Sequence, residues 1–228
     1  MKPDSPLRPV RVWDLPTRCF HWLLLASVIG LVATGKIGGN ALEWHMRLGM
    51  LVFTLLGFRL AWGLLGGRWS RFSSFIYMPP TVLRYLRGAH RPGDHFEVGH
   101  NPLGSFSVFA MLAVLMAQVG TGLFVDDEIA TTGPLNKLVS SATATLATAW
   151  HKGPGQYLLF TLIGLHLAAI LYYRIGKGTD LIGPMWRGDK LLGGDVPPSV
   201  DNLATRARAF VLLLIWAVVV YAVIRLGN

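Results

Sequence analysis

Five apolar runs, each close to twenty residues, limit what this chain can become: they fall at about 18–35, 41–65, 102–125, 150–173 and 209–226. That length is what a helix needs to cross the hydrocarbon of a bilayer. With 52% hydrophobic and only 14% charged residues, the chain reads as an all-α integral membrane protein. A formal charge of +9 would suit nucleic acid, but the basic residues cluster between the runs and on alternate sides of them. The lead-in and the loops after the second and fourth runs hold most of the Lys and Arg, whereas the loops after the first and third hold only Lys36, Lys137 and Lys152. This is the positive-inside pattern, so the charge is topological and no nucleic-acid partner is expected. It places the N-terminus in the cytoplasm and the C-terminus outside.

The chain divides accordingly. Residues 1–16 form a basic, proline-rich lead-in with Lys2, Arg8 and Arg11, too polar for a cleaved signal peptide, and Thr17 caps the first helix. Residues 17–176 form the core of four spans. Within it, Pro79 to Arg87 reads as a short amphipathic helix on the membrane surface. The loop opening on Asp126, Asp127 and Glu128 runs through SSATATLATAW, an interfacial helix leading into the fourth span. Residues 177–208 are a polar loop in which Gly183-Pro184, Gly193-Gly194 and Pro197-Pro198 argue against long helices. Residues 209–228 carry the fifth span, almost purely aliphatic. Cys19 is the only cysteine, which excludes an internal disulfide, a four-cysteine cluster and covalent haem attachment through Cys-x-x-Cys-His.

Histidines inside the spans carry the chemistry, because a polar ring in hydrocarbon needs a partner and is functional by default. The fourth run, WHKGPGQYLLFTLIGLHLAAILYY, holds His151 and His166. Were it one continuous helix, fifteen residues would part them by roughly 22 Å along the axis and about 60° around it. No single metal ion could hold both. With the N-terminus inside, His21 on the first span and His166 lie near the inner face, while His45 on the second span and His151 lie near the outer face. The four sort into two level pairs, His21 with His166 and His45 with His151. Two imidazoles facing each other across a four-helix bundle, twice, is the arrangement that axially ligates two haems, and filled axial positions favour electron transfer.

Other readings stay open at this point. An intramembrane histidine also serves in proton relays and interhelical hydrogen bonds, and a zinc site would find only Glu43 and Cys19 as further ligands at these levels. His90, His95 and His100, at five-residue spacing in a loop, read as solvated, with His100 near enough to the third span to meet the inner site. Haem propionates need donors. Arg18 and Arg59 suit the inner group and Arg47 and Lys152 the outer one, against the alternative that all four snorkel to lipid headgroups. Gly164, two residues before His166, suits either close approach of a flat macrocycle or helix packing.

The segments VWDLPTRCFHW at 12–22, WHMRLG at 44–49, FRLAWG at 58–63, GHNPLG at 99–104 and HKGPGQYLLFTLIGLHLAAILYY at 151–173 resemble the bacterial cytochrome b561 family. The nearest branch is similar to the cytochrome b subunit of nickel-iron hydrogenases, and the likeness covers about residues 10 to 190. It implies a four-helix bundle holding two non-covalent haems b, with His21, His45, His151 and His166 as iron ligands and the fifth helix outside the common core. It implies a bacterial inner-membrane protein that passes electrons between a periplasmic redox partner, such as a c-type cytochrome, and the quinone pool. Some members of the family oxidise superoxide and reduce quinone, so whether this chain is an enzyme in its own right stays open. A haem-free, histidine-lined transporter is the alternative from another class. Gln118, Trp13, Ser27 and Asn136 qualify equally as partners for a quinone ring. One departure from the family pattern is Gly153-Pro154-Gly155, which interrupts the start of the fourth span and puts His151 on a non-helical turn.

Overall fold

The computed structural model describes residues 6–89, 91, 93–127 and 131–227; Lys2, His90 and Glu128 lie outside them. Among the described residues, five apolar helical stretches are long enough to cross a membrane. The first is α1, Leu15–Ile37. Its N-cap is Asp14, three residues before the expected Thr17: the Thr17 amide donates to Asp14 Oδ1 at 2.8 Å. A short carboxylate side chain reaches a third-position amide well, and Pro16 in the first turn gives up no needed donor. Gly38 and Gly39, at φ 69° and 52°, supply the left-handed backbone that turns the chain into α2, Ala41–Leu65.

The amphipathic surface segment forms α3, Pro79–Leu86. The third span is α4, Pro102–Gly122. It stops three residues short of the expected end, because the Asn136 amide donates to the carbonyls of Phe124 and Val125 and holds them in a loop.

The fourth run is two helices. α5 is Ser141–Lys152, capped by Ser140, and α6 is Pro154–Gly176. Pro154 has no N–H and its ring crowds the preceding turn, so the helix breaks at Gly153, which lies at φ −115° and ψ −111°. The single helix assumed for the 22 Å estimate does not form. His151 sits in the last turn of α5, helical where a non-helical turn was expected because the break falls two residues later at Gly153, and His166 in the middle of α6.

After the short α7, Ile182–Arg187, the fifth span is α8, Leu203–Leu226. It starts six residues before the expected 209, because Asn202 caps it by accepting from the Thr205 amide at 2.9 Å. The lead-in and the polar loop hold one element that periodicity did not reveal. Strand β1, Arg8–Arg11, pairs antiparallel with β2, Asp189–Leu192, with Arg8 opposite Leu192 and Arg11 opposite Asp189.

The chain forms two units. The first gathers Met1–Cys19, Leu60–Phe109 and Leu165–Phe210. Its apolar centre is Val10, Val12, Trp13, Trp69, Val98, Leu192 and Val196. Ser199 stitches that centre together: its hydroxyl donates to the Val12 carbonyl at 2.8 Å and accepts from the Trp69 amide at 3.2 Å. Asp14, fully buried, accepts from Thr17, Trp62 Nε1, the Gly67 amide and Ser70 Oγ. The second unit gathers Phe20–Arg59, Ala110–Gly164 and Val211–Asn228. In it α8 docks on α2 where Gly57 leaves room for the Trp216 ring.

Candidate functional site

An apolar cavity of about 210 Å³ opens inside the second unit. Protein interiors rarely leave a void larger than a water, which needs about 10–15 Å³ on this measure, so the space is not a packing defect. Its walls come from the second half of α1 (Val28, Leu31, Val32, Gly35), the first half of α2 (Leu42, Met46, Gly49, Met50, Val52), the end of α4 (Leu115, Val119, Gly122) and the start of α6 (Leu159, Phe160). His45 and His151 line it from α2 and α5, and Gln118, Lys152, Gln156, Asp127 and Thr131 are its other polar lining residues.

The two rings meet in a T-shaped contact with centroids 6.1 Å apart and planes at 80°. Each is tethered in the same way. His45 Nδ1 meets the Leu31 carbonyl at 2.9 Å, and His151 Nδ1 meets the Gln118 carbonyl at 2.9 Å. A carbonyl only accepts, so each Nδ1 carries the proton and each Nε2 keeps a free lone pair. That is the donor set for a metal held between two imidazoles. An imidazole–metal bond of about 2 Å on each side, with about 1.1 Å from nitrogen to ring centre, sums to about 6 Å. The residues present therefore fit a flat macrocycle such as haem, which His45 and His151 would hold, and the apolar walls would suit its faces.

The other expected site residues lie as follows. His21, in the second unit, stands edge-on to Trp22 with centroids 5.2 Å apart. His166 is a half-buried residue of the first unit. Of the four charged residues, Lys152 lines the cavity. Arg47 does not; it pairs with Glu43 one turn back and lies over Trp44 at 5.0 Å. Arg18 Nη1 donates to the Trp186 carbonyl at 2.7 Å. Arg59 is 3% exposed, an unusual depth for a guanidinium. A Cβ on Gly164 would meet nothing within 4 Å.

The described loop histidines, expected to be solvated, are half-buried against aromatic rings. The His100 ring lies 4.8 Å from Trp13 and 4.6 Å from Phe75, and His95 stands edge-on to Trp69 at 5.6 Å. The loop folds back onto the aromatic centre of the first unit, and a weakly polar ring packs there more readily than it stays in water. Of the four quinone-partner candidates, Ser27 donates to Leu23, Asn136 to Phe124 and Val125, and Trp13 packs on His100, while Gln118, on the cavity wall, donates Nε2 to the His151 carbonyl and leaves its buried Oε1 without a hydrogen-bond partner.

Sequence reasoning passed over the residues that hold the two rings. Thr34 and Gly35 flank His45, and Thr121 and Gly122 flank His151. The signal was present as VATG at 32–35 and VGTG at 119–122, the same four-residue pattern near the ends of α1 and α4.

Residues 12–188 match the family described as prokaryotic cytochrome b561. Among curated proteins, the chain is similar to the probable Ni/Fe-hydrogenase 1 B-type cytochrome subunit of Escherichia coli K12, 23% identical over 78% of this chain and 88% of that one. It is also similar to the probable Ni/Fe-hydrogenase B-type cytochrome subunit of Rhizobium leguminosarum bv. viciae, 24% identical over 80% of this chain and 89% of that one. No solved structure matches. A family match over most of the chain, with five apolar spans and an imidazole-lined cavity, makes this multi-pass membrane protein a member of the prokaryotic cytochrome b561 family, an electron-transfer cytochrome that carries haem b.

Proposed function

We propose that the chain is a di-haem cytochrome that moves electrons across the bilayer between a periplasmic redox partner and the quinone pool. In this reading four helices form the bundle around both haems. His45 and His151 clasp the outer haem, and the observation that carries the reading is the approach of their rings, centroids 6.1 Å apart, in an apolar cavity. His21 and His166 ligate the inner haem; the support is their shared depth under the topology with the N-terminus inside. Lys152, on the cavity wall, meets an outer propionate. Arg47 joins it only by releasing Glu43. Arg18 and Arg59 serve the inner propionates. Haem supplies the one-electron chemistry; the chain fixes the rings, excludes water from the iron and neutralises the propionates.

The similar curated proteins are named as subunits of hydrogenases, which supports a membrane electron carrier working for a separate redox protein. A c-type cytochrome or a hydrogenase-like enzyme fits that place, and a quinone takes the other end. Reduced-minus-oxidised spectra of the purified protein with pyridine haemochrome quantitation test the reading. Two haems per chain are expected, and one in H45A or H151A. One haem or none in the native protein refutes it. A reporter fused at Asn228 is expected to be active on the periplasmic side; activity only in the cytoplasm inverts the topology.

A further inference from the structure

The two walls that hold His45 and His151 follow one plan. On α1, Thr34 Oγ1 donates to the Gly30 carbonyl four residues back at 2.7 Å and stands 3.4 Å from His45 Nδ1. On α4, Thr121 Oγ1 donates to the Ala117 carbonyl four residues back at 2.7 Å and stands 3.4 Å from His151 Nδ1. The carbonyl three residues before each threonine takes the Nδ1 proton, at 2.9 Å in both cases. The glycine after each threonine lies under the ring: a Cβ there would stand 3.1 Å from Cε1 of His45 on Gly35, and 3.1 Å from Cε1 of His151 on Gly122. Four contacts recur on the two helices, each around one Val-x-Thr-Gly pattern.

We infer that Thr34-Gly35 and Thr121-Gly122 are paired positioning residues that set the rotation of the two imidazoles towards the iron; this rests on the reading that His45 and His151 ligate the outer haem. The carbonyl fixes the tautomer and points Nε2 away from the helix. The threonine is β-branched and has little freedom about its first torsion. Its hydroxyl is also tied to its own helix, so it is a rigid stop beside Nδ1. The glycine removes the one side chain that would push the ring off the helix. Each ring is thus held against one helix in one rotation, and the two cradles leave the planes at 80°. Ring planes near perpendicular leave the two upper dπ orbitals of a low-spin ferric iron almost equal in energy, which gives an EPR signal with a high gmax. Coplanar rings split those orbitals and lower it.

The test uses the full-length holoprotein and reads haem content, EPR and midpoint potential. The signal that disappears in H45A belongs to the outer haem; if H45A and H151A keep both haems, the reading beneath the inference fails and the inference with it. With that settled, G35A and G122A are expected to keep two haems, to lower gmax of the outer signal and to displace its potential, leaving the inner signal unchanged. Native EPR and potential in both alanine variants, with two haems bound, overturn the inference and leave the ligand assignment standing. If an alanine variant loses the outer haem, the isosteric pair decides. A changed outer signal in T34V or T121V with a native signal in T34S or T121S supports the inference, and native signals in all four overturn it.

Discussion

Trp62 Nε1 donates to Asp14 Oδ1 at 3.1 Å, joining the end of α2 to the residue that caps α1 across 48 positions of sequence. The same side chain takes the Thr17 and Gly67 amides and the Ser70 hydroxyl. There is no room to do this another way, since a Cβ on Gly67 would overlap Asp14 Oδ2. Removing the acceptor strands several buried donors, and each costs about 1–3 kcal/mol. D14A is expected to lower the thermal unfolding temperature most, D14N less because one oxygen remains, and S70A least. Calorimetry or fluorescence unfolding in detergent ranks them; a D14A protein as stable as the native one removes the argument.

A second clamp closes the same unit and titrates. Asp201, its side chain 5% exposed, receives Arg11 Nη1 at 3.1 Å and Arg206 Nε at 2.9 Å. Burial alone would push its carboxyl upward, but the hydrogen bond from Arg206, the Leu15 amide and the charges of Arg206 and Arg11 outweigh it and hold the group below the ordinary carboxylate range. A carboxyl that loses its proton more readily folded than unfolded stabilises the fold fully above the unfolded value of about 3.9. That contribution fades as the pH falls through the lower, folded value. Unfolding temperature is therefore expected to drop below about pH 4 in the native protein, and D201N, less stable at pH 6, to show a flatter drop. Parallel curves for the two proteins over that interval contradict the assignment.

The fifth span is held by a fit between small and large. A Cβ on Gly57 of α2 would overlap the ring of Trp216 on α8. G57A is expected to cost about 1–3 kcal/mol by forcing the ring aside, and adding W216A should recover part of that loss. Equal effects of G57A with and without Trp216 in a double-mutant cycle of unfolding free energies mean that α8 does not depend on this contact.

What the sequence disclosed follows from the range of the forces involved. The spans were legible because hydrocarbon imposes a length and a composition on every one of them, as with Ala41–Leu65, where expectation and helix coincide. That His45 and His151 belong together, as their ring contact at 6.1 Å shows, was expected from counting lysines and arginines by side, a signal that accumulates over whole loops. The pairing of Arg8–Arg11 with Asp189–Leu192 was not legible, since two four-residue strands some 180 positions apart carry no period that marks them as partners. Thr17 looked like the cap of α1 because threonine is a common cap; Asp14 holds the post because its second oxygen is also needed by Gly67 and Ser70. The two cradles escaped for another reason. A Val-x-Thr-Gly pattern inside an apolar helix looks like packing until the rings it touches are known.

The break at Gly153 has a mechanical meaning. With the fourth run divided there, the imidazole at 151 and the imidazole at 166 hang from separate rods, α5 and α6. A shift of one rod is not passed rigidly down a common axis to the other, so the surroundings of each ring are free to drift, or to be engineered, one at a time.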